Sequence, residues 1–325
     1  MKAKGSRTPT APATATPHRE MRDRYRGTLI GLTVGNTLGL PVESWPRAAI
    51  RERFPRGLRE IDPTEQRLPW DDDAAQTVIL AEAILEHDTI HIADVAQRFV
   101  AWARTSGRGI GNLTARVIEA LRDGKPPEEA ARWVWERHGG RPAGNGAVMR
   151  CAPVAMRWPR ASDRARLLEE TERSAIVTHH DPRCAWSAYA INLALTSALD
   201  GRRMAVLEIE GELARAGADE HVLHAIREVS KNDLDHFQLD GTAIGFTLKA
   251  MQAGLWCLEN GEDYEESIVR VIGAGGDTDT NAAVAGAVLG ALHGDTSIPR
   301  RWVANIRDAD RLTSLADQLL ERTGI

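Results

Sequence analysis

The stretch Gly275-Gly276-Asp277-Thr278-Asp279-Thr280-Asn281 runs directly into the small-residue segment Ala282-Ala283-Val284-Ala285-Gly286-Ala287-Val288-Leu289-Gly290-Ala291-Leu292. It predicts a tight glycine turn that delivers two carboxylates and a hydroxyl to the first turn of a buried helix. Asp and Thr before an apolar run are also ordinary helix caps. Two aspartates at i and i+2 can instead turn several hard oxygens toward one point, which suits Mg²⁺ or Mn²⁺ rather than Zn²⁺. The stretch alone leaves both interpretations open.

A second acidic run, Pro69-Trp70-Asp71-Asp72-Asp73-Ala74, lies far upstream and precedes an apolar-periodic segment over residues 78–85. Acids at a helix N-terminus are favourable by about 0.3–1 kcal/mol each. One capping acid would be enough, whereas three consecutive carboxylates repel one another unless a cation lies among them. The run is therefore consistent both with a helix start and with half of a cation site.

Composition limits the classes of function. The chain has 325 residues and a formal net charge of -5, so it lacks the basic excess that proteins need to neutralise nucleic-acid phosphates. A small-molecule or protein substrate fits better. The three cysteines, Cys151, Cys184 and Cys257, form no CxxC pair. This pattern is typical of a reduced protein and predicts a cytoplasmic location.

The N-terminal residues 1–20 are rich in Thr, Pro, Ala and basic residues and contain no apolar core of signal-peptide length. We expect them to form a flexible tail. The longest nearly uncharged apolar stretch follows Asn281 and ends at His293. It is too short for a bilayer, which requires about 20 residues, so no membrane span is predicted.

Helical periodicity dominates the remainder of the chain. Apolar residues recur at three- and four-residue spacing over residues 74–85, 90–103, 110–121, 164–176, 185–199, 204–214, 245–258 and 264–272. Alternating strand-like runs are nearly absent, which predicts an all-α fold. No Pro/Gly/Ser-rich linker divides these segments, so we expect a single compact multi-helix domain over residues 21–325. The polar run Lys231-Asn232-Asp233-Leu234-Asp235-His236 is predicted to be a loop.

The first predicted helix carries a glycine stripe, Gly27, Gly31, Gly35 and Gly39. Each glycine in a helix interior costs about 1 kcal/mol relative to alanine, so the stripe predicts close approach of another helix. The segment that contains Gly286 and Gly290 is the natural partner. Leu40-Pro41-Val42 then stops the helix and leaves Glu43 on a loop, where it can equally be a solvated acid.

Three further turns carry polar or glycine residues before predicted helices. Gly144-Asn145-Gly146 and Gly107-Arg108-Gly109-Ile110-Gly111-Asn112 can expose backbone N–H groups that hold a phosphate or a sugar hydroxyl, but ordinary helix starts have the same composition. Thr178-His179-His180-Asp181 contains a His-x-Asp pair, which is compatible with a metal site. Because no other His or Cys has suitable spacing, a ligand-contacting or hydrogen-bonding His179 is favoured.

Taken together and in order, these pieces resemble the ADP-ribosylglycohydrolases. The resemblance rests on Leu38-Gly39-Leu40-Pro41-Val42-Glu43, Trp70-Asp71-Asp72-Asp73, Gly144-Asn145-Gly146-Ala147-Val148-Met149-Arg150, Thr178-His179 and Gly275-Gly276-Asp277-Thr278-Asp279-Thr280. It extends over residues 24–294. Each motif alone is weak, and the ordered set is specific.

The resemblance implies an all-helical domain with two Mg²⁺ or Mn²⁺ ions in a cleft, which cleaves the glycosidic bond between ADP-ribose and an acceptor. The residues that match the family's metal ligands are Glu43, Asp72, Asp73, Asp277, Asp279 and Thr280, and Asp71 stands where the family has a hydroxyl ligand. Those that match its substrate-binding residues are Gly109, Gly111, Gly144, Asn145, Gly146 and His179. Glu43, Asp73 and Asp279 are the candidates for proton transfer.

The chain departs from the family pattern at a few positions. The usual Thr-Asp-Asp-Thr reads Asp71-Asp72-Asp73-Ala74, which adds a carboxylate and removes a hydroxyl. Asn36 stands where Gly-Asp is common, and Gly109 stands where some branches carry an aspartate that touches the ribose. These departures bear on substrate choice and rate more than on metal binding.

The sequence therefore predicts a metal-dependent hydrolase that acts on an ADP-ribosylated protein linked through arginine or serine. We expect ADP-ribose or its conjugate as the binding partner, and neither a membrane nor strong nucleic-acid binding. Two alternatives remain. The chain can be an ADP-ribose-binding protein of the same fold that has lost turnover, or a different dinuclear-metal hydrolase that acts on phosphoesters.

Overall fold

The helical periodicity corresponds to sixteen α-helices in the computed structural model, which describes residues 17–325. In chain order they are α1 (Pro17–Gly39), α2 (Arg47–Arg53), α3 (Asp72–His87), α4 (Ile92–Thr105), α5 (Asn112–Arg122), α6 (Pro127–Arg137), α7 (Ala152–Arg157), α8 (Arg164–Ile176), α9 (Pro182–Leu199), α10 (Val206–Ala216), α11 (Glu220–Val229), α12 (Thr247–Asn260), α13 (Tyr264–Gly273), α14 (Thr278–His293), α15 (Arg300–Val303) and α16 (Ala309–Thr323). Short 3₁₀ segments cover Leu40–Val42, Pro63–Arg67, Ala161–Asp163, Leu234–Phe237 and Asp295–Ser297. Within this part of the chain no residue forms a β-strand, and one antiparallel bridge joins Gly144 to Phe246.

The all-α prediction is confirmed, and each predicted segment coincides with one helix. The largest difference in a helix end is at α9, which begins at residue 182 rather than 185 because Asp181 caps it and Pro182 occupies its first position. The last three residues of the predicted loop, 234–236, belong to the 3₁₀ segment Leu234–Phe237. The predicted boundary between the tail and the first helix also differs. Helix α1 begins at Pro17, so residues 17–20, which were predicted to belong to the tail, are helical. Residues 1–16 of that tail lie outside the described residues.

The glycine stripe of α1 packs directly on α14, as predicted. A Cβ atom added at Gly27, Gly31 or Gly35 would lie only 2.3, 2.4 or 2.0 Å from a backbone carbonyl oxygen of α14. These oxygens belong to Gly290, Gly286 and Ala282. The two backbones are therefore in contact along the full length of α14. Each glycine permits this contact because it has no Cβ atom.

The core is built around α14, which is buried on all sides between residues 278 and 291. Helices α1, α9, α12 and α13 surround it, and α9 is likewise buried from Ser187 to Leu199. Helices that are apolar on every face belong in the centre of a large domain. All three cysteines are buried and free. Among the helices described here, none has both the length and the apolar character required to cross a membrane.

The end of α1 is held against the start of α14. The Thr278 hydroxyl donates a hydrogen bond to the carbonyl oxygen of Gly39 at 2.8 Å. A Cβ at Gly39 would lie 2.5 Å from Cα of Asp279, so no larger residue fits there. This contact brings the loop that follows α1, with Glu43, next to the acidic turn before α14.

Candidate metal centre and its cavity

The two acidic runs meet where α3 and α14 begin. One carboxylate oxygen each from Asp71, Asp73 and Asp279 lies within 4.8 Å of the others, and all three side chains are buried. The Thr280 hydroxyl also donates to Oδ2 of Asp73 at 3.2 Å, across 207 positions of sequence. The tertiary fold therefore brings together the two stretches that the sequence marked separately.

A second group of oxygens shares one member with the first. Single oxygens of Glu43, Asp277 and Asp279 also lie within 4.8 Å of one another. Asp279 thus belongs to both groups, as a carboxylate between two adjacent cation positions would. Asp72 belongs to neither group, and it lines the cavity beside them.

The capping interpretation is not realised at either acidic helix start. Asp71 and Asp277 occupy the N-cap positions of α3 and α14, but neither side chain makes a capping hydrogen bond. Asn36 Nδ2 donates to Asp71 Oδ2 at 3.4 Å, and Asn145 Nδ2 donates to Asp277 Oδ2 at 2.9 Å. By contrast, Asp263 caps α13 through its carboxylate. Both carboxylates are therefore turned away from their helix ends and toward the cluster.

The donor set fits a hard divalent cation. Among residues 17–325, Oδ1 of Asp73 and Oδ1 of Asp279 are buried polar atoms without a hydrogen-bond partner. Burial, and then neighbouring carboxylates, raise the pKa of Asp72, Asp73 and Asp279 well above the usual range. Buried anionic oxygens without donors are costly, and a bound cation would remove that cost. The ligand atoms are all oxygens, which suits Mg²⁺ or Mn²⁺.

A cavity of about 210 Å³ opens beside the cluster. Its acidic lining is formed by Glu43, Asp72, Asp277, Asp279 and Thr280. The same cavity is lined by all six residues predicted to bind substrate, Gly109, Gly111, Gly144, Asn145, Gly146 and His179. Asn112, Leu113, Thr114, Met149 and Gly245 also line it. Asn112 belongs to the predicted glycine turn and Met149 to the quoted motif, whereas sequence reasoning missed the other three. The polar Thr114 lies close behind the turn that ends at Asn112, and that position was the available signal.

Gly109 covers the aspartates with its backbone. Its φ of +75° is a conformation that favours glycine, and an added Cβ would lie 2.1 Å from Oδ1 of Asp71 and 2.7 Å from Oδ1 of Asp72. Gly111 is different, because a Cβ added there meets no atom within 4 Å. Position 109 therefore has no room for a side chain while position 71 carries a carboxylate.

The Gly144–Gly146 turn differs from its predicted form in two respects. Residues 145–150 form turns, and α7 begins only at Ala152, so the turn does not open the helix directly. The backbone N–H of Asn145 donates to the carbonyl oxygen of Gly245 at 3.0 Å, so this N–H is not free for a phosphate. Glycine is required at 146 because a Cβ there would lie 2.5 Å from Cε1 of His179. The turn and the histidine form one wall of the cavity.

Glu43 lies on an exposed loop at the acidic edge of the cavity. The loop is fastened to the glycine turn before α14, because Ser44 N–H donates to Gly276 O at 2.8 Å and Gly276 N–H donates to Trp45 O at 3.0 Å. Partial burial of its carboxylate, and then the charges of Asp277 and Asp71, raise the pKa of Glu43. The residue is thus anchored through its backbone while its carboxylate faces the site.

Nearly the whole described chain, residues 17–324, matches the family model for ADP-ribosylglycohydrolase. The chain belongs to the ADP-ribosylglycohydrolase family. Membership in this family supports hydrolysis of an ADP-ribosyl linkage as the class of activity.

Relatives of similar length agree with this assignment. An uncharacterized protein of Archaeoglobus fulgidus is 31% identical over 313 residues, which cover 93% of this chain and 97% of that protein. The ADP-ribosylarginine hydrolase Tri1 of Serratia proteamaculans is 25% identical over 323 residues, or 95% of this chain and 82% of that protein. A solved structure titled ADP-ribosylglycohydrolase-related protein complex has a TM-score of 0.75 and 27% identity, and the match covers 94% of this chain and 99% of that one.

The Thr-His motif lies apart from the carboxylate clusters. Neither His179 nor His180 belongs to a group of potential metal ligands among the described residues. His179 is 3% exposed and faces the glycine turn. Sequence reasoning gave no role to Arg150, whose side chain is fully buried behind this wall.

Proposed function

We propose that the protein is a metal-dependent hydrolase that cleaves the glycosidic bond between ADP-ribose and an acceptor, most directly an ADP-ribosylated protein linked through arginine or serine. The observation that carries the proposal is Asp279, whose carboxylate is common to two oxygen clusters beside a cavity. Two glycine turns and His179 line the same cavity. Family membership supports ADP-ribosyl hydrolysis as the chemistry of such a site.

Two Mg²⁺ or Mn²⁺ ions would be held by the two oxygen groups. Asp71, Asp73, Asp279 and the Thr280 hydroxyl are the ligands for one, and Glu43, Asp277 and Asp279 for the other. Asp72 lies on the cavity wall, where it can bind either ion directly or through water. When bound, such ions orient substrate hydroxyls and a water molecule and lower the pKa of that water.

The chain's own carboxylates would move the protons. Glu43 is the most exposed of these carboxylates, so it can accept a proton from a water molecule in the cavity and return one to the leaving acceptor. Asp73 and Asp279 are the alternative proton carriers; their raised pKa values belong to the metal-free site, and bound cations would lower them. The amide side chains of Asn36 and Asn145 keep two of the aspartates in place.

The remaining residues would hold the ADP-ribose. Six carboxylates carry more charge than two divalent cations, so we expect the diphosphate to lie farther from the carboxylates than the distal ribose does. Backbone N–H groups at the start of α5, after Gly111, are suitable donors for phosphate or ribose oxygens. Arginine linkage is supported by the similarity to the ADP-ribosylarginine hydrolase Tri1.

A cleavage panel tests the proposal. Release of ADP-ribose is measured from ADP-ribosylated arginine and serine peptides, an ADP-ribosylated base and O-acyl-ADP-ribose, with metal-free protein and after addition of Mg²⁺ or Mn²⁺. We expect cleavage of a protein-linked conjugate only with metal, and its loss in Asp279→Ala, which removes a ligand from both groups. Asp310→Ala, at an exposed position of α16, is the control that should retain full activity.

Three outcomes would contradict the proposal in different ways. Full activity of verified metal-free protein would exclude metal dependence. ADP-ribose binding by calorimetry, without cleavage of any conjugate, would indicate a binding protein that has lost turnover. Phosphate release from nucleotides, with all conjugates intact, would indicate a phosphoester hydrolase.

A further inference from the structure

Arg150 is a fully buried cation behind the cavity wall. Its Nη1 donates to Oε1 of Gln76 at 2.6 Å, and its Nη2 donates to Oγ1 of Thr178 at 2.7 Å and to the carbonyl oxygen of Ser174 at 3.2 Å. The guanidinium also lies 4.9 Å from the ring centroid of Phe99. Burying a guanidinium is expensive even when it is hydrogen-bonded, and an apolar residue of similar volume is often as stable. Packing alone therefore does not explain why an arginine occupies position 150.

The bond from Arg150 determines how the Thr178 hydroxyl can act. A hydroxyl has one proton to donate and two lone pairs that accept. Because Arg150 has no acceptor, Oγ1 of Thr178 must accept from it, and its own proton remains to be donated. The second partner of Oγ1 is Nδ1 of His179, at 2.7 Å. Among the contacts of the described residues, Nδ1 is the acceptor available to that proton.

The ring of His179 then has its proton on the other nitrogen. Burial, and then the charge of Arg150, lower the pKa of His179 to about 3, so the imidazole is neutral at physiological pH. A neutral imidazole that accepts at Nδ1 carries its hydrogen at Nε2. Nε2 lies beside two glycines that line the cavity together with His179, since a Cβ added at Gly146 or Gly144 would lie 3.0 or 3.1 Å from it. No protein acceptor for Nε2 is found in the part of the chain that the structure describes.

We propose that Arg150 is a positioning residue which, through the Thr178 hydroxyl, holds His179 in the Nε2–H tautomer and so presents a fixed hydrogen-bond donor to an oxygen of the ligand in the cavity. The proposal rests on the proposed function for the identity of that ligand, ADP-ribose. The tautomer itself is a property of the free protein.

A purely structural role for Arg150 and Thr178 makes a different prediction. In that case their replacement lowers stability but leaves the His179 tautomer unchanged. The proposed relay, from Arg150 through the Thr178 hydroxyl to His179, predicts that the hydrogen bond at Nδ1 is lost with the hydroxyl at 178 and returns whenever a hydroxyl is restored. The ¹⁵N shift of Nδ1, together with the tautomer, is therefore the measurement that separates the two roles.

The deciding experiment is ¹⁵N NMR of the histidine side chains in the full-length protein at neutral pH. A protonated and an unprotonated ring nitrogen have well-separated ¹⁵N shifts, and the His179 signals are assigned by their absence in His179→Gln. We expect the hydrogen of His179 on Nε2 in the wild type. A hydrogen on Nδ1 would overturn the proposal without any variant.

Two variants at position 178 and one control complete the test. Thr178→Val keeps the shape and removes the hydroxyl that donates to Nδ1, so we expect the ¹⁵N shift of Nδ1 to move to that of an unprotonated nitrogen without a donor, while Thr178→Ser should restore the wild-type signals. Thr171→Val is the matched control, because Thr171 is a buried threonine of α8 that bonds to Leu167 and Asn192. An unchanged Nδ1 shift in Thr178→Val, or a changed one in Thr171→Val, would refute the relay.

Replacement of Arg150 tests the first step of the relay, which is the hydrogen bond from Arg150 to the Thr178 hydroxyl. In Arg150→Met the Thr178 hydroxyl no longer receives a hydrogen bond, and the Ser174 carbonyl becomes free to accept its proton. We expect a mixture of the two His179 tautomers. A wild-type tautomer in folded Arg150→Met would remove Arg150 from the proposal, and if this variant does not fold, the variants at 178 still decide the role of the hydroxyl.

Calorimetric titration with ADP-ribose in the presence of Mg²⁺ measures how much the His179 donor contributes to ligand affinity. Loss of one oriented donor should weaken binding by about tenfold in Thr178→Val, with recovery in Thr178→Ser. Undiminished affinity in Thr178→Val would contradict the donor role. If the wild type itself does not bind ADP-ribose, the proposed function fails, and the NMR result still decides the relay.

Discussion

Asp73 has the most buried carboxylate of the site, with none of its surface exposed and one oxygen without a partner among the described residues. Burial and the charges of Asp72 and Asp71 raise its pKa. Ionisation therefore costs more in the folded chain than in the unfolded chain. In the absence of metal, this carboxylate opposes folding whenever it is charged.

We expect Asp73→Asn to stabilise the metal-free protein by about 1–3 kcal/mol at neutral pH. Below about pH 4 Asp73 is protonated in both states, so the variant has little advantage. As pH rises toward the raised pKa, the wild type loses stability and the advantage of the variant grows. Urea unfolding in EDTA across this pH range measures the difference.

Asp317→Asn is the control for this prediction. Asp317 forms an ion pair with Arg26 at 2.6 Å, so its neutralisation should not stabilise the protein. If Asp73→Asn destabilised the metal-free protein at every pH, the account of the acidic cluster would be wrong.

Glycines 109 and 111 lie on the same turn but differ in the space around them. In Gly109→Ala the added methyl group would overlap the carboxylate of Asp71 at a positive φ. We expect at least tenfold weaker Mn²⁺ binding, because the aspartates must move. Gly111→Ala meets open space and should bind Mn²⁺ as the wild type does. Calorimetric titration with Mn²⁺ compares the two, and equal affinities would contradict this geometry.

At the scale of elements, the pairing of α1 with α14 positions the acidic turn. Because α14 carries Asp279 and Thr280 in its first turn, any separation of the two backbones also moves these ligands relative to α3. Helix starts are usually good positions for capping aspartates, yet the side chains of Asp71 and Asp277 do not cap. Both elements thus begin with residues that point into the site.

We expect Gly35→Ala to destabilise the protein by about 3 kcal/mol or more, because its Cβ would lie 2.0 Å from the carbonyl oxygen of Ala282. The matched control is Gly211→Ala in α10, where the nearest atom to the added Cβ is the end of the Arg215 side chain at 3.5 Å. This control should gain up to about 1 kcal/mol. Urea unfolding of both variants measures the effect, and a fully stable Gly35→Ala would contradict the close packing.

For the whole molecule, the site exists only when distant parts of the chain are folded together. The loop after α1, the start of α3 and the start of α14 each contribute carboxylates. A cation that binds this site therefore stabilises the folded state by mass action, by about 2.7 kcal/mol when its concentration is 100 times its Kd.

The melting temperature should accordingly rise on addition of Mg²⁺ or Mn²⁺ to the metal-free protein. Asp279→Ala should lose this increase, since it removes a ligand from both groups, whereas Asp310→Ala should keep it. Differential scanning calorimetry with and without EDTA measures the increments. Equal increments in both variants would indicate that the ions bind elsewhere.

Much of the fold was predictable because its causes are local. Helical periodicity gave the all-α class, and the four-residue spacing of the α1 glycines indicated the partner helix that bears Gly286 and Gly290. The ordered motifs also contained most of the residues that line the cavity, because each motif is a short contiguous run. Thr114 and the role of Arg150 were missed because no local pattern distinguishes them from ordinary helix starts and basic residues.

By itself, the sequence determined which residues are available: two acidic helix starts, two glycine turns and a Thr-His pair. Only the tertiary structure decided that Asp279 is common to two oxygen groups, that Asn145 holds Asp277, and that Arg150 lies within hydrogen-bond distance of Thr178. The physical reason is that these contacts join residues far apart along the chain. Their distances depend on how α1, α3 and α14 pack, which no single segment encodes.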